Sequence, residues 1–292
     1  MTMESEMIFR NEPPKMLPLY AKALKPKKPE SKSPTIPELK AELIGVDTDT
    51  SDLKTYMKVC GFQPALALPM TWPHILAFPL HMKLMTDDRF PLPAMGLVHM
   101  GNKITQYRAI GLGERLDLLV RFANQTQTDR GIEFDIATEA HVNGKLVWEE
   151  ASTFLFRQSS GASKSSGEKK IPELPKYTQY AAIKAKEDLG RRYGKVSGDL
   201  NPIHMHPLTA KAFGFPKNIA HGMWSQANAI ARLSQSKHWK DGKVTVTCSF
   251  KKPLLLPGSA QLNWEEEGST WPYQILNARG DAPHLSGEVI FG

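Results

Sequence analysis

Two six-residue segments, YMKVCG at Tyr56–Gly61 and YGKVSG at Tyr193–Gly198, agree at four of six positions. Their surroundings agree as well. Each is followed by a histidine, His74 or His221, at the start of a segment too apolar for a surface helix: WPHILAFPLHMKLM in the first half and GMWSQANAIARL in the second. Period-two alternation then follows in both. Leu116, Leu118, Val120 and Phe122 alternate with Asp117, Leu119 and Arg121. Ile132, Phe134, Ile136, Thr138 and Ala140 alternate with Glu133, Asp135 and Glu139. In the second half Val244, Val246, Cys248 and Phe250 do the same, with further strands expected around Ala260–Trp264, Tyr273–Ala278 and Gly287–Phe291. Such alternation specifies antiparallel strands with one buried and one wet face. The Asn143-Gly144 pair specifies a hairpin that returns through KLVWEEASTFLF.

Between the halves, residues 158–170 read QSSGASKSSGEKK and contain nothing that anchors a core, so this stretch is a flexible linker. A basic, proline-rich arm (1–39) therefore precedes a first unit (40–157), the linker (158–170) and a second unit (171–292). A curled antiparallel sheet around one central helix is the hot-dog architecture. The expected fold is thus α+β, a double hot-dog of two antiparallel sheets, each wrapped around its own helix.

A chain of 292 residues suits two cores. No apolar run reaches the ~18 residues a membrane span requires. The opening segment carries Glu4, Glu6 and Glu12 and no apolar stretch of the secretory kind. Cys60 and Cys248, with no CxxC, read as reduced thiols in a cytoplasm and not as a disulfide framework or zinc site. Much of the net charge of +7 lies in Lys22, Lys25, Lys27, Lys28 and Lys32. The prolines among these lysines, and the absence of aromatics or arginines there, read as a surface-laid arm and not a nucleic-acid-binding segment.

After the shared glycine the halves diverge. The first continues Phe62-Gln63-Pro64 and the second Asp199-Leu200-Asn201-Pro202, and the first reaches its histidine about ten residues sooner. A structural cap is needed in both halves equally, so the asymmetry points to chemistry in the second. Pro202 disfavours helix at Asn201, and Asp199 and Asn201 favour an Asx-type turn. PLTAKAF then reads as a short helix. A turn between helices can aim Asp199 and His204 at one point. Gly222 begins the buried helix, where first-turn N–H groups lack helical partners and negative charge is favoured. These parts suit reversible addition of water to an α,β-unsaturated thioester. Asp199 and His204 would grip the water, and the Gly222 N–H would meet the charge on the thioester oxygen. General acid–base help of this kind contributes roughly a hundred- to ten-thousand-fold. No metal or redox cofactor is needed.

YGKVSGDLNPIH followed by AHGM, with FKKPLLLPG at Phe250–Gly258, resembles the signature of the MaoC-like dehydratases, the (R)-specific enoyl-CoA hydratase family. The resemblance covers the second half well and the first half more weakly, as the non-catalytic half of two-hot-dog members. It implies a lyase with Asp199 and His204 as catalytic pair, Gly222 as oxyanion donor and Asn201 as a site-shaping residue. The implied partner is an acyl-CoA or acyl-carrier-protein substrate, giving an (R)-3-hydroxyacyl product. A serine that some members carry further along the buried helix has no counterpart in AIARL.

Asn201 either holds the turn or meets substrate. His221 is either a packed core histidine or a ligand contact, and stands outside the catalytic set. His206 caps or is solvated, and Tyr193 packs its helix on the sheet. Phe62, in the place of Asp199, is expected to line an acyl pocket with Met82 and Met85. A monomer and a homodimer both fit a chain that already carries two such units. Two other functions compete: a thioesterase on the same scaffold, and a non-catalytic acyl-binding module. The first is disfavoured because Gly222–Leu233 contains no Asp or Glu.

Overall fold

The alternating segments form the long strands of the sheet. β4 (Leu116–Thr128), β5 (Gly131–Val142) and β6 (Lys145–Arg157) run antiparallel, and Ile132, Phe134, Ile136, Thr138 and Ala140 are the buried side chains of β5. Asn143 (φ 50°) and Gly144 (φ 73°) turn β5 into β6, both in the left-handed region that a type I′ hairpin requires. The computed structural model describes residues 5–29, 31–158 and 173–292; apart from Gln158, the expected linker lies outside them.

In chain order the other elements of the first half are β1 (Ser5–Arg10), α1 (Met16–Ala23), β2 (Leu39–Val46), α2 (Ser51–Cys60), α3 (Trp72–Met85) and β3 (Leu97–Gln106). The second half contributes β7 (Gln179–Ala185), α4 (Leu189–Ser197), α5 (Pro202–Met205), α6 (Pro207–Ala212) and α7 (Gly222–Leu233). It ends in β8 (Val244–Phe250), β9 (Gly258–Trp264), β10 (Thr270–Asn277) and β11 (Pro283–Phe291).

The expectation of two separate sheets needs correction. The strands form one eleven-stranded sheet in the order β1-β2-β4-β5-β6-β3-β8-β11-β10-β9-β7. The halves join where β3 pairs antiparallel with β8, Asn102 opposite Cys248 and Ile104 opposite Val246. Two separate half-sheets would each leave an edge of unpaired N–H and C=O groups, and this pairing satisfies both. The β1–β2 pair is parallel, so the sheet is mixed. The fold is α+β.

Both apolar segments are buried helices. In α7 every residue except Gly222 and Arg232 is buried. The repeated hexapeptides are the last turns of α2 and α4, each closed by a left-handed glycine, Gly61 (φ 92°) and Gly198 (φ 73°). They meet across the molecule, with the Tyr56 and Tyr193 rings 6.1 Å apart. The Trp224 indole donates to Val59 O at 3.0 Å and the Asn228 amide to Cys60 O at 2.9 Å, tying α7 to α2. The first 39 residues do more than lie on a surface. β1 extends the sheet, and Leu19, Tyr20 and Ala23 of α1 are buried. Among the described residues no helix is long and apolar enough to cross a membrane.

The first half also buries charge. His74, near the start of α3, lies 2.8 Å from Glu150 Oε1 on β6, and the Asn102 amide donates to the same oxygen. Gln226 of α7 donates in turn to Asn102 at 2.9 Å. Burial works against the Glu150 charge, but His74, His81 and Asn102 hold its carboxyl below the usual carboxylate range. His74→Leu removes one partner and leaves a buried acid uncompensated, which costs about 3–5 kcal/mol. The double substitution His74→Leu/Glu150→Leu is expected to recover much of that loss. Urea midpoints of the single and double variants measure both; a double variant less stable than the single one refutes the assignment.

Candidate active site

Asp199, Asn201 and His204 follow α4 in one tight turn, and the local sequence sets its shape. Asp199 Oδ1 accepts from the Asn201 N–H at 3.1 Å, and Asn201 Oδ1 caps α5 by accepting from the Ile203 N–H at 3.3 Å. Pro202 occupies the first helical position, where its missing N–H costs nothing. His206 caps α6 by accepting from the Leu208 N–H at 3.2 Å. Asn201 is thus a turn-holding residue by its contacts.

His204 is 7% exposed, and its Nδ1 lies 2.8 Å from the carbonyl oxygen of Ile219. A carbonyl only accepts, so Nδ1 carries the hydrogen and Nε2 presents a bare lone pair. Burial pushes the His204 pKa below the ordinary histidine value of 6.5, even though Asp199 pulls the other way. The imidazole is therefore neutral at neutral pH. Burial opposes ionisation of Asp199 too, but His221, His204, the Asn201 N–H and the Tyr20 hydroxyl outweigh it and hold the carboxyl below its usual range. The result is a neutral base beside an ionised acid.

His221, left outside the expected catalytic set, lies against both. Its ring stacks on His204 with centroids 3.7 Å apart and meets Tyr193 at a tilt of 49°, centroids 4.8 Å apart. Its Nε2 donates to the backbone oxygen of Asp199 at 3.0 Å and stands 3.7 Å from Oδ2. Burial, reinforced by His204, takes the His221 pKa down to about 3. One ligand atom each from Asp199, His204 and His221 lie within 4.8 Å of one another. Donors of these types and spacing could hold a metal ion. One water also spans a gap of that size when it sits about 2.8 Å from each of two acceptors.

Gly222 opens α7 directly after His221. The first intrahelical N–H bond is that of Ser225 to His221 O at 3.2 Å, so the Gly222, Met223 and Trp224 N–H groups precede it. A Cβ on Gly222 would stand 2.9 Å from the Phe250 ring, so close packing of β8 requires the glycine, beyond any need of a ligand. Phe250 also meets His99 edge-on, with centroids 4.9 Å apart. Ser225, one turn into α7, donates to His221 O at 3.3 Å.

Phe62, Met82 and Met85 lie in the first half. Met82 and Met85 are buried in α3, and Phe62 follows the end of α2, half-buried against Tyr56 at 6.2 Å. Among the described residues none of the three has a hydrogen bond or ring contact with Asp199 or His204. Tyr20 of α1 was missed altogether. Its hydroxyl accepts from the Leu200 N–H at 2.7 Å and lies 3.0 Å from Gly198 O and 3.4 Å from Asp199 Oδ1. The AHGM string could have flagged His221. No local signal marks a tyrosine 179 residues away from the acid it touches.

Residues 170–276 match the family model described as MaoC like domain. The 3-hydroxyacyl-thioester dehydratase X of Mycobacterium tuberculosis is 36% identical over 244 residues, 82% of this chain and 85% of that protein. The crystal structure of HtdX from the same organism superposes with a TM-score of 0.74 at 33% identity, covering 86% of this chain and 98% of that one. A MaoC-like dehydratase from Phytophthora capsici shares the fold at 18% identity, with a TM-score of 0.69 over 88% of this chain and 96% of its own. An identity of 36% sustained over 82% of the chain exceeds what a common fold demands, and the chain belongs to the MaoC-like dehydratase family.

Proposed function

We propose that this protein catalyses the reversible hydration of 2-enoyl thioesters to (R)-3-hydroxyacyl thioesters, carried on coenzyme A or on an acyl carrier protein. The observation that carries this reading is the neutral His204, its Nε2 lone pair unengaged, near an ionised Asp199 at the head of α7. Relatives that include a 3-hydroxyacyl-thioester dehydratase support it.

In the hydration direction water sits between Asp199 Oδ2 and His204 Nε2. His204 takes one of its protons as the oxygen attacks Cβ, and the carboxylate holds the other. Charge moves to the thioester oxygen, where the Gly222 N–H and the head of the α7 dipole meet it. The imidazolium then gives its proton to Cα, so one water is added and every proton is accounted for. Dehydration is the same path reversed. The stacked, neutral His221 fixes the plane of His204 and adds no competing charge.

Two finer points belong to the same proposal. The sheet is read as two hot-dog units, β2–β6 around α3 (the unit 40–157, with β2 beginning one residue before it at Leu39) and β7–β11 (171–292) around α7, with chemistry only in the second. Phe62, Met82 and Met85 belong to the apolar interior of the first unit and would act on acyl-chain length from there.

Asp199→Asn preserves the acceptor that holds the turn but removes the charge, and His204→Gln removes the base. Each is expected to lower kcat for crotonyl-CoA hydration by more than a hundred-fold, about 3 kcal/mol, with the melting temperature nearly unchanged. The double variant is expected to be scarcely worse than either single one. Near-normal turnover in early-melting variants, or rapid thiol release from saturated acyl-CoA by the native protein, contradicts the proposal.

The pH dependence follows from the same groups. The His204 pKa lies below 6.5, so kcat/KM is expected to be level through neutrality and to fall only in acid, as the base becomes protonated. A limb centred above that value, recorded where circular dichroism shows the fold intact, would contradict a neutral base.

A further inference from the structure

Tyr20 comes from the N-terminal arm, which is otherwise remote from the chemistry in sequence. Its side chain is 8% exposed, and its single hydroxyl sits between the two peptide groups that flank Asp199. It accepts from the Leu200 N–H at 2.7 Å on one side and lies 3.0 Å from Gly198 O on the other. Its one proton goes to Gly198 O or to Asp199 Oδ1, 3.4 Å away. Burial, with Asp199 beside it, raises the phenol pKa well above its usual value and keeps that proton in place. The hydroxyl therefore closes a ring across Asp199 and limits rotation about both of that residue's backbone torsions.

The arm that carries Tyr20 is itself anchored on both sides. Upstream, β1 pairs with β2 in the sheet. Downstream, Lys22 pairs with Asp88 Oδ1 at 2.8 Å and Lys27 donates to Asp88 O at 3.0 Å. Beyond these the Ile36 N–H donates to Gln125 Oε1 at 2.7 Å. Leu19 and Ala23 pack into the core beside Tyr20, and the side chain of Met16 lies 3.8 Å from where a Gly198 Cβ would be. A surface-laid arm needs no such attachment. An element that must hold one hydroxyl still does.

We infer that Tyr20 is a positioning residue for the reaction: the N-terminal arm clamps the Gly198–Leu200 turn and so sets the direction of the Asp199 carboxylate toward the water. This rests on the proposed role of Asp199. Tyr20→Phe keeps the ring and its packing but leaves the Leu200 N–H and Gly198 O without their shared partner. It is expected to lower kcat for crotonyl-CoA hydration about tenfold or more with KM changed less than about twofold, because the loss falls on orientation and not on thioester binding. In an Asp199→Asn background the same change is expected to cost nothing further. Ile132→Ala, in the buried face of β5, controls for packing: it lowers the melting temperature at least as much as Tyr20→Phe yet keeps kcat. Equal losses from Tyr20→Phe in both backgrounds, native kcat in Tyr20→Phe, or parallel losses of kcat in Ile132→Ala and Tyr20→Phe would each overturn the inference. If Asp199→Asn itself turns over normally, the site assignment fails first; if it is inactive while Tyr20→Phe is native-like, only the role of Tyr20 falls.

Discussion

A Cβ on Gly190 would stand 1.9 Å from the carbonyl oxygen of His204, and one on Gly194 would stand 2.8 Å from that of Asp199. One face of α4 is therefore bare backbone, and the turn that bears both functional side chains lies directly on it. The rest of the site depends on this close approach. With α4 as a floor, the His204 N–H reaches Asn201 O at 3.0 Å, the Ile219 N–H reaches Ile203 O at 3.1 Å, and the His204 ring meets Ile219 O. A methyl group at either glycine would lift the turn and, with it, the directions of the acid and the imidazole. Interiors packed at crystal-like density offer no room to absorb such a shift.

Capping and chemistry are not alternatives in this turn. One oxygen of Asp199 holds the Asx turn by accepting from Asn201, while the other faces His221 at 3.7 Å, beyond hydrogen-bond length. The two halves of the molecule make the contrast plain. Each has a buried or half-buried acid near a histidine at a helix start: Glu150 with His74, and Asp199 with His221. In the first half both carboxylate oxygens are engaged by His74 and Asn102, and Asn102 is itself held by Gln226. That network engages the whole carboxylate and ties α3 and α7 to the sheet. In the second half, among the described residues, Asp199 Oδ2, His204 Nε2 and His221 Nδ1 make no hydrogen bond, and they lie beside first-turn N–H groups. Open valences at a helix head can receive a reactant; a carboxylate with both oxygens engaged cannot.

Burial governs the charge states throughout. His81 and His221 are pushed down to about 3 and His99 to about 4, each chiefly by loss of water, while nearby histidines and, after them, hydrogen bonds hold Glu150 and Asp199 below the usual carboxylate range. Neutral imidazoles and ionised carboxylates coexist in one interior because nearby histidines and hydrogen bonds stabilise the charged carboxylates, whereas burial outweighs the carbonyl contacts that favour a charged imidazole. The linkage has a definite sign. A histidine depressed in the folded state contributes its full stability above the unfolded pKa of about 6.5 and loses it as pH falls toward the folded value.

Much of this was legible in the chain. Period-two alternation in Ile132–Ala140 and Val244–Phe250, the Asn143-Gly144 turn and the apolar run Gly222–Leu233 are local signals, and each became the element its pattern specifies. The repeated hexapeptide identified two equivalent helix ends, and the departure after Gly198 located the polar turn, because a left-handed cap and an Asx turn are decided within a few residues. The join of β3 to β8, the stacking of His221 on His204 and the reach of Tyr20 to Asp199 carry no such signal. Each depends on groups brought together from distant parts of the chain or on a ring orientation, and only the packed interior fixes those. The sequence specified which groups are present and how each local turn bends; the tertiary structure decided which of them face one another, since a hydrogen bond across 179 residues is selected by the whole fold's packing and not by any neighbour along the chain.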